Sequence, residues 1–75
     1  MQEDVFNIEV RKFLKRFGVT AQREIEKSVA AALQQGTLRG NEVLPVNATL
    51  SIPNVLAELH IDGEIALSDR PAGTT

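Results

Sequence analysis

The 75 residues carry eight basic and ten acidic side chains, a formal net charge of −2, and 43% of them are hydrophobic. This hydrophobic content is that of a folded chain rather than a disordered one, and the absence of cysteine excludes a disulfide framework. A chain of this length buries only about 60% of the surface that it exposes when unfolded, so its core is thin. We therefore expect one small domain that gains stability from a protein partner or from a homodimer.

The first residues give no sign of export or of membrane insertion. Met1-Gln2-Glu3-Asp4 is acidic, whereas a signal peptide begins with basic residues followed by an apolar run. No apolar stretch approaches the roughly 18 residues that a transmembrane helix needs. The expected location is the cytoplasm, and no membrane contact is expected.

The N-terminal third predicts an amphipathic helix. Apolar residues recur there at helical spacing on one face, which is typical of packing against a core: Phe6, Val10, Phe13, Leu14 and Phe17. Gly18 is the residue type that ends a helix in the left-handed conformation, and Val19 is placed for the accompanying contact with Leu14. The first helix is therefore predicted to end at Gly18.

A second amphipathic helix is predicted after a turn at Gly18-Val19-Thr20. Thr20 can cap the free N–H groups of the next turn, and Gly36 supplies a C-terminal stop. The apolar face of this segment is formed by Ile25, Val29, Ala32 and Leu33. Two helices joined by so short a turn are expected to pack on each other or on a shared layer.

Beyond an irregular connection from Thr37 to Pro45, the period changes to two and predicts a β-hairpin with its turn at Pro53-Asn54. One face carries the apolar residues Val46, Ala48, Leu50, Ile52, Ala57, Leu59, Ile61, Ile65 and Leu67. A two-residue loop pairs Ile52 with Val55, and a four-residue loop, Pro53 to Leu56, preserves the same face. The sequence leaves both loops open.

Asp62-Gly63 admits two structures. It could form a second turn, which gives a three-stranded meander, or Gly63 could lie at a bulge in one long strand. We favour the long strand, whose last residues would extend beyond the first strand and leave backbone groups for another chain. The predicted fold is α+β, with two N-terminal helices packed on a C-terminal antiparallel hairpin in the order α-α-β-β. Residues 1–67 form the domain and residues 68–75 a flexible tail.

Charge divides the chain into two halves. Residues 1–40 hold seven basic and five acidic side chains, and residues 41–75 hold one basic and five acidic, so the balances are +2 and −4. The candidate anion or nucleic-acid contacts lie opposite the phenylalanines and in the second helix: Arg11, Lys12, Lys15, Arg16, Arg23 and Lys27. A solvated face is the simpler interpretation, because the protein is acidic, with a pI of about 5.2, and shows no third helix to brace a DNA-binding pair.

His60 lies between Glu58 and Asp62 on the polar side of the second strand. Strand neighbours two residues apart are nearly 7 Å apart, too far for three ligands around one zinc ion, so no metal site is expected. Neither a cysteine nucleophile, nor a Gly-x-Ser-x-Gly motif, nor a phosphate-binding glycine loop occurs. We expect no catalytic activity, no cofactor and no small-molecule ligand.

The chain resembles a family of small, uncharacterised bacterial proteins over about residues 4–67. The segments that carry the likeness are Asp4-Val5-Phe6-Asn7, Arg11-Lys12-Phe13-Leu14-Lys15, Gly18-Val19-Thr20, Gln22-Arg23-Glu24-Ile25-Glu26-Lys27, Leu44-Pro45 and Asp62-Gly63-Glu64-Ile65. The resemblance implies a bacterial source and an α+β fold, and it transfers no functional residue. The expected function is a protein-interaction or self-associating module, and the alternative is a nucleic-acid-associated regulator that uses the basic helix face.

Overall fold

The computed structural model describes residues 1–69. It contains one helix, α1, from Glu3 to Gln34, and two strands, β1 from Val43 to Ile52 and β2 from Leu56 to Ala66. The described part of the chain divides into two compact units, with the boundary between Thr37 and Leu38. The predicted α+β class is confirmed at this level.

The prediction of two helices is wrong, because α1 runs through Gly18-Val19-Thr20 without a break. Among the described residues, the glycines with positive φ are Gly36 and Gly40, so Gly18 does not adopt the left-handed conformation of a helix end. A glycine inside a helix costs only about 1 kcal/mol relative to alanine, and the good helix formers further along the helix, Lys15-Arg16 before it and Ala21-Gln22-Arg23 after it, offset this cost. Thr20 consequently lies in the helix interior rather than at a cap.

The C-terminus of α1 is capped as the sequence predicted. Gly36 has φ +79°, and its N–H donates to the Leu33 carbonyl at 3.2 Å. The N–H of Thr37 donates to the Ala32 carbonyl at 2.9 Å. These two bonds are those of the Schellman motif, in which a left-handed residue reverses the chain and satisfies the last carbonyls.

The turn of the hairpin is a three-residue loop, Pro53 to Val55, between the paired residues Ile52 and Leu56. The N–H of Val55 donates to the Ile52 carbonyl at 2.9 Å, and Asn54 has φ +68°. Proline at the second position and a left-handed asparagine at the third fit a type II β-turn. Neither of the two loop lengths predicted from the sequence occurs.

Over most of their length the strands nevertheless pair in the register that the predicted four-residue loop, Pro53 to Leu56, requires. Leu50 pairs with Leu59 and Ala48 with Ile61, as that loop requires. An irregularity between Leu50 and Ile52 reconciles this register with the shorter loop, because a bulge adds one residue to one strand. The predicted apolar face is therefore preserved from Val46 to Leu50 and from Leu59 to Ile65, but beyond the irregularity Ile52 pairs with Leu56, which is not part of that face.

β2 continues through Asp62-Gly63 as one long strand, as favoured from the sequence, and no third strand occurs within residues 1–69. The bulge expected at Gly63 is absent, since this residue pairs regularly with Val46. The expected overhang is also wrong: Val43 pairs with Ala66, and the N–H of Leu67 donates to the Glu42 carbonyl at 2.9 Å. The two strands therefore end together.

None of the described residues is buried. On α1 the least exposed positions are the small or β-branched residues Ala21, Val29 and Ala32, all in the intermediate class. The apolar faces predicted to form a core are therefore largely open to solvent. The tail predicted for residues 68–75 lies outside the described residues except for Ser68 and Asp69, and the single domain 1–67 stays a prediction.

Candidate interaction surface

One row of side chains runs along almost the whole of α1. We call it the apolar stripe, and it consists of Phe6, Val10, Leu14, Phe17, Ala21, Ile25, Ser28 and Ala32. The spacing is four, four, three, four, four, three and four, which is an 11-residue repeat of 3.67 residues per turn. This period nearly equals that of a straight α-helix, so the row keeps to one face. Seven of the eight positions are apolar.

The large side chains of the apolar stripe are between one third and one half exposed, from 37% at Ile25 to 51% at Phe6. Phe6 is 51% exposed, Leu14 50% and Phe17 48%. The stripe is also graded in size, because the large side chains lie mainly in its N-terminal half and two alanines and a serine lie in its C-terminal half. A face of this kind is typical of a helix that packs against another element.

A shallow surface groove lies beside the middle of the apolar stripe. It is lined by Phe13, Arg16, Phe17, Thr20, Ala21 and Glu24. On a helical wheel, Glu24 lies at the edge of the stripe, whereas Arg16 lies beyond Phe13 and Thr20, towards the polar face. A partner seated on the stripe would therefore meet the carboxylate of Glu24 beside an apolar centre.

Phe13, which is 52% exposed, lies next to the stripe, whereas other exposed apolar residues of α1 lie apart from it. Val5, Ile8 and Val19 lie outside the stripe and are 51%, 54% and 49% exposed. Single exposed apolar side chains are normal in soluble proteins, so these three need no partner. No helix among the described residues combines the length and the apolar character that crossing a bilayer requires.

The six basic residues singled out in the sequence all lie on α1, away from the centre of the apolar stripe. They do not form an unbroken positive surface. Lys12 Nζ lies 3.3 Å from a Glu9 carboxylate oxygen, and Lys27 Nζ lies 3.8 Å from one of Glu24. Because these pairs are exposed, their attraction is weak, but the carboxylates lower the local positive potential. The structure thus places the predicted residues on one helix and intersperses acidic groups among them.

His60 has a polar neighbour on each side of its ring. Its Nδ1 lies 3.0 Å from Thr49 Oγ1, and its Nε2 lies 3.0 Å from a Glu58 carboxylate oxygen. Thr49 is the cross-strand partner of His60. Thr49 was not singled out from the sequence, although the register of the four-residue loop predicts that it pairs with His60. The His60 and Glu58 side chains are both 63% exposed, so water competes for these contacts. Residues 1–69 contain no group of three histidine or carboxylate ligands placed to hold a metal ion.

Glu42 organises the connection between α1 and β1. Its carboxylate accepts hydrogen bonds from the backbone N–H groups of Arg39, at 2.9 Å, and Gly40, at 3.0 Å. These bonds favour the charged form and lower the pKa of the Glu42 carboxyl group. Gly40 has φ +104°, which lets the chain curl around the carboxylate.

Comparison with known proteins places the chain in a family. No curated protein and no solved structure matches the chain. A family model described as a family of unknown function (DUF6494) matches residues 1–68, which is nearly the whole chain. The resemblance to a small family without an assigned activity is thereby confirmed. The protein belongs to the family of unknown function DUF6494.

Proposed function

We propose that the protein is a non-catalytic module that associates with itself through the apolar stripe of α1. The observation that carries the proposal is the exposure of the stripe: seven of its eight positions are apolar, and its large side chains are between one third and one half exposed to water. A helix with one apolar face is ordinarily stabilised by packing that face against another element. A second copy of the chain supplies such an element.

The energetic gain from covering the stripe is substantial. Complete burial of a leucine or phenylalanine contributes about 1.5–3 kcal/mol, so covering the exposed half of Leu14 contributes about 1 kcal/mol. Phe6 and Phe17 offer a similar gain on both copies, and Val10 and Ile25, which are 38% and 37% exposed, offer a smaller one. Burial of several such side chains can offset the cost of bringing two molecules together.

The test compares Leu14→Gln with Ile8→Gln. The two native side chains are isomers of nearly equal exposure, 50% and 54%, but Ile8 lies outside the stripe. Glutamine is a good helix former, so each variant changes mainly the polarity of one surface position. We expect Leu14→Gln to cost about 2 kcal/mol per dimer, which weakens dimerisation about 30-fold, whereas Ile8→Gln leaves it unchanged.

Sedimentation at several concentrations measures the association, and circular dichroism verifies that both variants keep their helix content. A native protein that remains monomeric up to millimolar concentration would refute the proposal. Equal weakening by both substitutions would show that the association does not use the stripe.

The alternative function, a nucleic-acid-associated regulator, has less support. It would use the basic face, where Glu9 and Glu24 lie next to Lys12 and Lys27. Phosphate contacts would have to compete with these carboxylates, and the protein carries a net negative charge. The apolar stripe, which has no role in this alternative, would remain exposed.

A further inference from the structure

We infer that two copies of α1 pair antiparallel along their apolar stripes, with the pairing centred on Val19. This inference rests on the proposed self-association and specifies the partner surface and its direction. The stripe is nearly symmetric about Val19: Phe17 and Ala21 lie two residues from it, and Phe6 and Ala32 lie thirteen. In an antiparallel pair, residues at equal distances on opposite sides of the centre face each other.

The sizes of the side chains favour this direction. Antiparallel pairing sets Phe17 beside Ala21 of the partner subunit and Phe6 beside Ala32 of the partner subunit. Each large ring then meets a small side chain, so the helices can keep an even separation of about 8–10 Å. Parallel pairing would set Phe6 against Phe6 at one end and alanine against alanine at the other, and would force the helices apart where the rings meet.

The charges favour the same direction. Residues 11–16 carry four basic and no acidic side chains, whereas residues 22–27 carry two basic and two acidic ones. Antiparallel pairing sets the first segment opposite the second, but parallel pairing sets two copies of the positive segment side by side. Opposed helices also align their macrodipoles favourably. Like-charge repulsion between the two copies is therefore smaller in the antiparallel arrangement.

Spin labelling measures the direction directly, because the chain has no native cysteine to interfere. A nitroxide is attached to Val5→Cys or to Val19→Cys, both exposed positions outside the stripe. In an antiparallel pair the two residues at position 5 are offset by 28 residues, so their labels lie more than about 40 Å apart at 1.5 Å per residue. The labels at position 19 lie side by side within about 30 Å in either direction, which makes this variant the control.

A long distance at position 5 together with a short one at position 19 supports the inference. Short distances at both positions overturn antiparallel pairing but leave self-association intact. Absence of dipolar coupling at position 19, with monomers in sedimentation, overturns the self-association itself and this inference with it.

Discussion

Replacement of Gly18 by alanine tests the continuity of α1. In the structure, Gly18 lies in the middle of a helix with ordinary helical conformation. A Cβ atom added there meets nothing within 4 Å. If Gly18 instead ended a first helix in the left-handed conformation, the same Cβ atom would clash with the backbone. The two structures therefore predict opposite signs for one small substitution.

The size of the effect follows from the helix propensities. Alanine in a helix interior is about 1 kcal/mol more favourable than glycine, so Gly18→Ala should stabilise α1 by about that amount. At a left-handed helix end it would destabilise by about 1–2 kcal/mol. Gly36→Ala is the matched control, because Gly36 has φ +79° and no neighbour within 4 Å of an added Cβ atom. It should destabilise the helix end by about 1–2 kcal/mol.

Amide hydrogen exchange measures both variants residue by residue. We expect about five-fold greater protection for amides around position 18 in Gly18→Ala, and reduced protection near Ala32 and Leu33 in Gly36→Ala. Far-UV circular dichroism should show the midpoint of helix melting rise in the first variant and fall in the second. A lower midpoint for Gly18→Ala would refute the continuous helix and support two helices.

Two further predictions concern the C-terminal unit. Since its hydrogen bonds lower the pKa of Glu42, the stabilisation that they provide should be present above the ordinary glutamate pKa and lost as the pH falls through the lowered value. NMR titration of the Glu42 carboxyl carbon should give a midpoint below the ordinary glutamate pKa. This titration should be absent in Glu42→Gln. A midpoint at or above the ordinary glutamate pKa would contradict the loop geometry. Gly63→Ala should stabilise the hairpin by about 0.4–1 kcal/mol, because the added Cβ atom would lie 3.6 Å from Val46 Cγ1, an ordinary contact. Urea unfolding measures this change, and a loss of stability would show that the position does not tolerate a side chain.

The strand pattern and the C-terminal cap of α1 could be predicted from the sequence because each depends on a local signal with one structural outcome. Strict alternation forces one face of β1 and β2 to be apolar whichever loop joins them. Gly36 follows the last apolar position of the helix and precedes an aperiodic segment, so the glycine and the loss of helical spacing both indicate a helix end there.

The continuity of α1 was not predicted because two sequence features conflict there. The composition of Gly18-Val19-Thr20 indicates a helix end, whereas the spacing of the apolar residues on both sides indicates one helix. Gly18-Val19-Thr20 has the composition of a helix end followed by a cap, but the spacing from Phe17 to Ala21 keeps the phase of the stripe. A true turn between two helices has no reason to keep that phase. The spacing of the apolar residues across a suspected turn was therefore the signal that could have corrected the prediction.

The surface contacts were harder to predict. The bonds of Glu42 depend on the backbone of Gly40, and the Thr49–His60 contact depends on a register that the sequence left open between two loops. Such contacts are determined by the path of the chain rather than by residue type. Only the face on which each residue lies could be inferred in advance.

The 11-residue repeat has a consequence for which changes the chain can accept between Phe17 and Ala21. Each helical residue advances the face by about 100°, so the loss or gain of one residue there would turn one half of the stripe away from the other. Substitutions within Gly18-Val19-Thr20 leave that angle unchanged. The length of this segment, more than its composition, keeps the two halves of the stripe on one face.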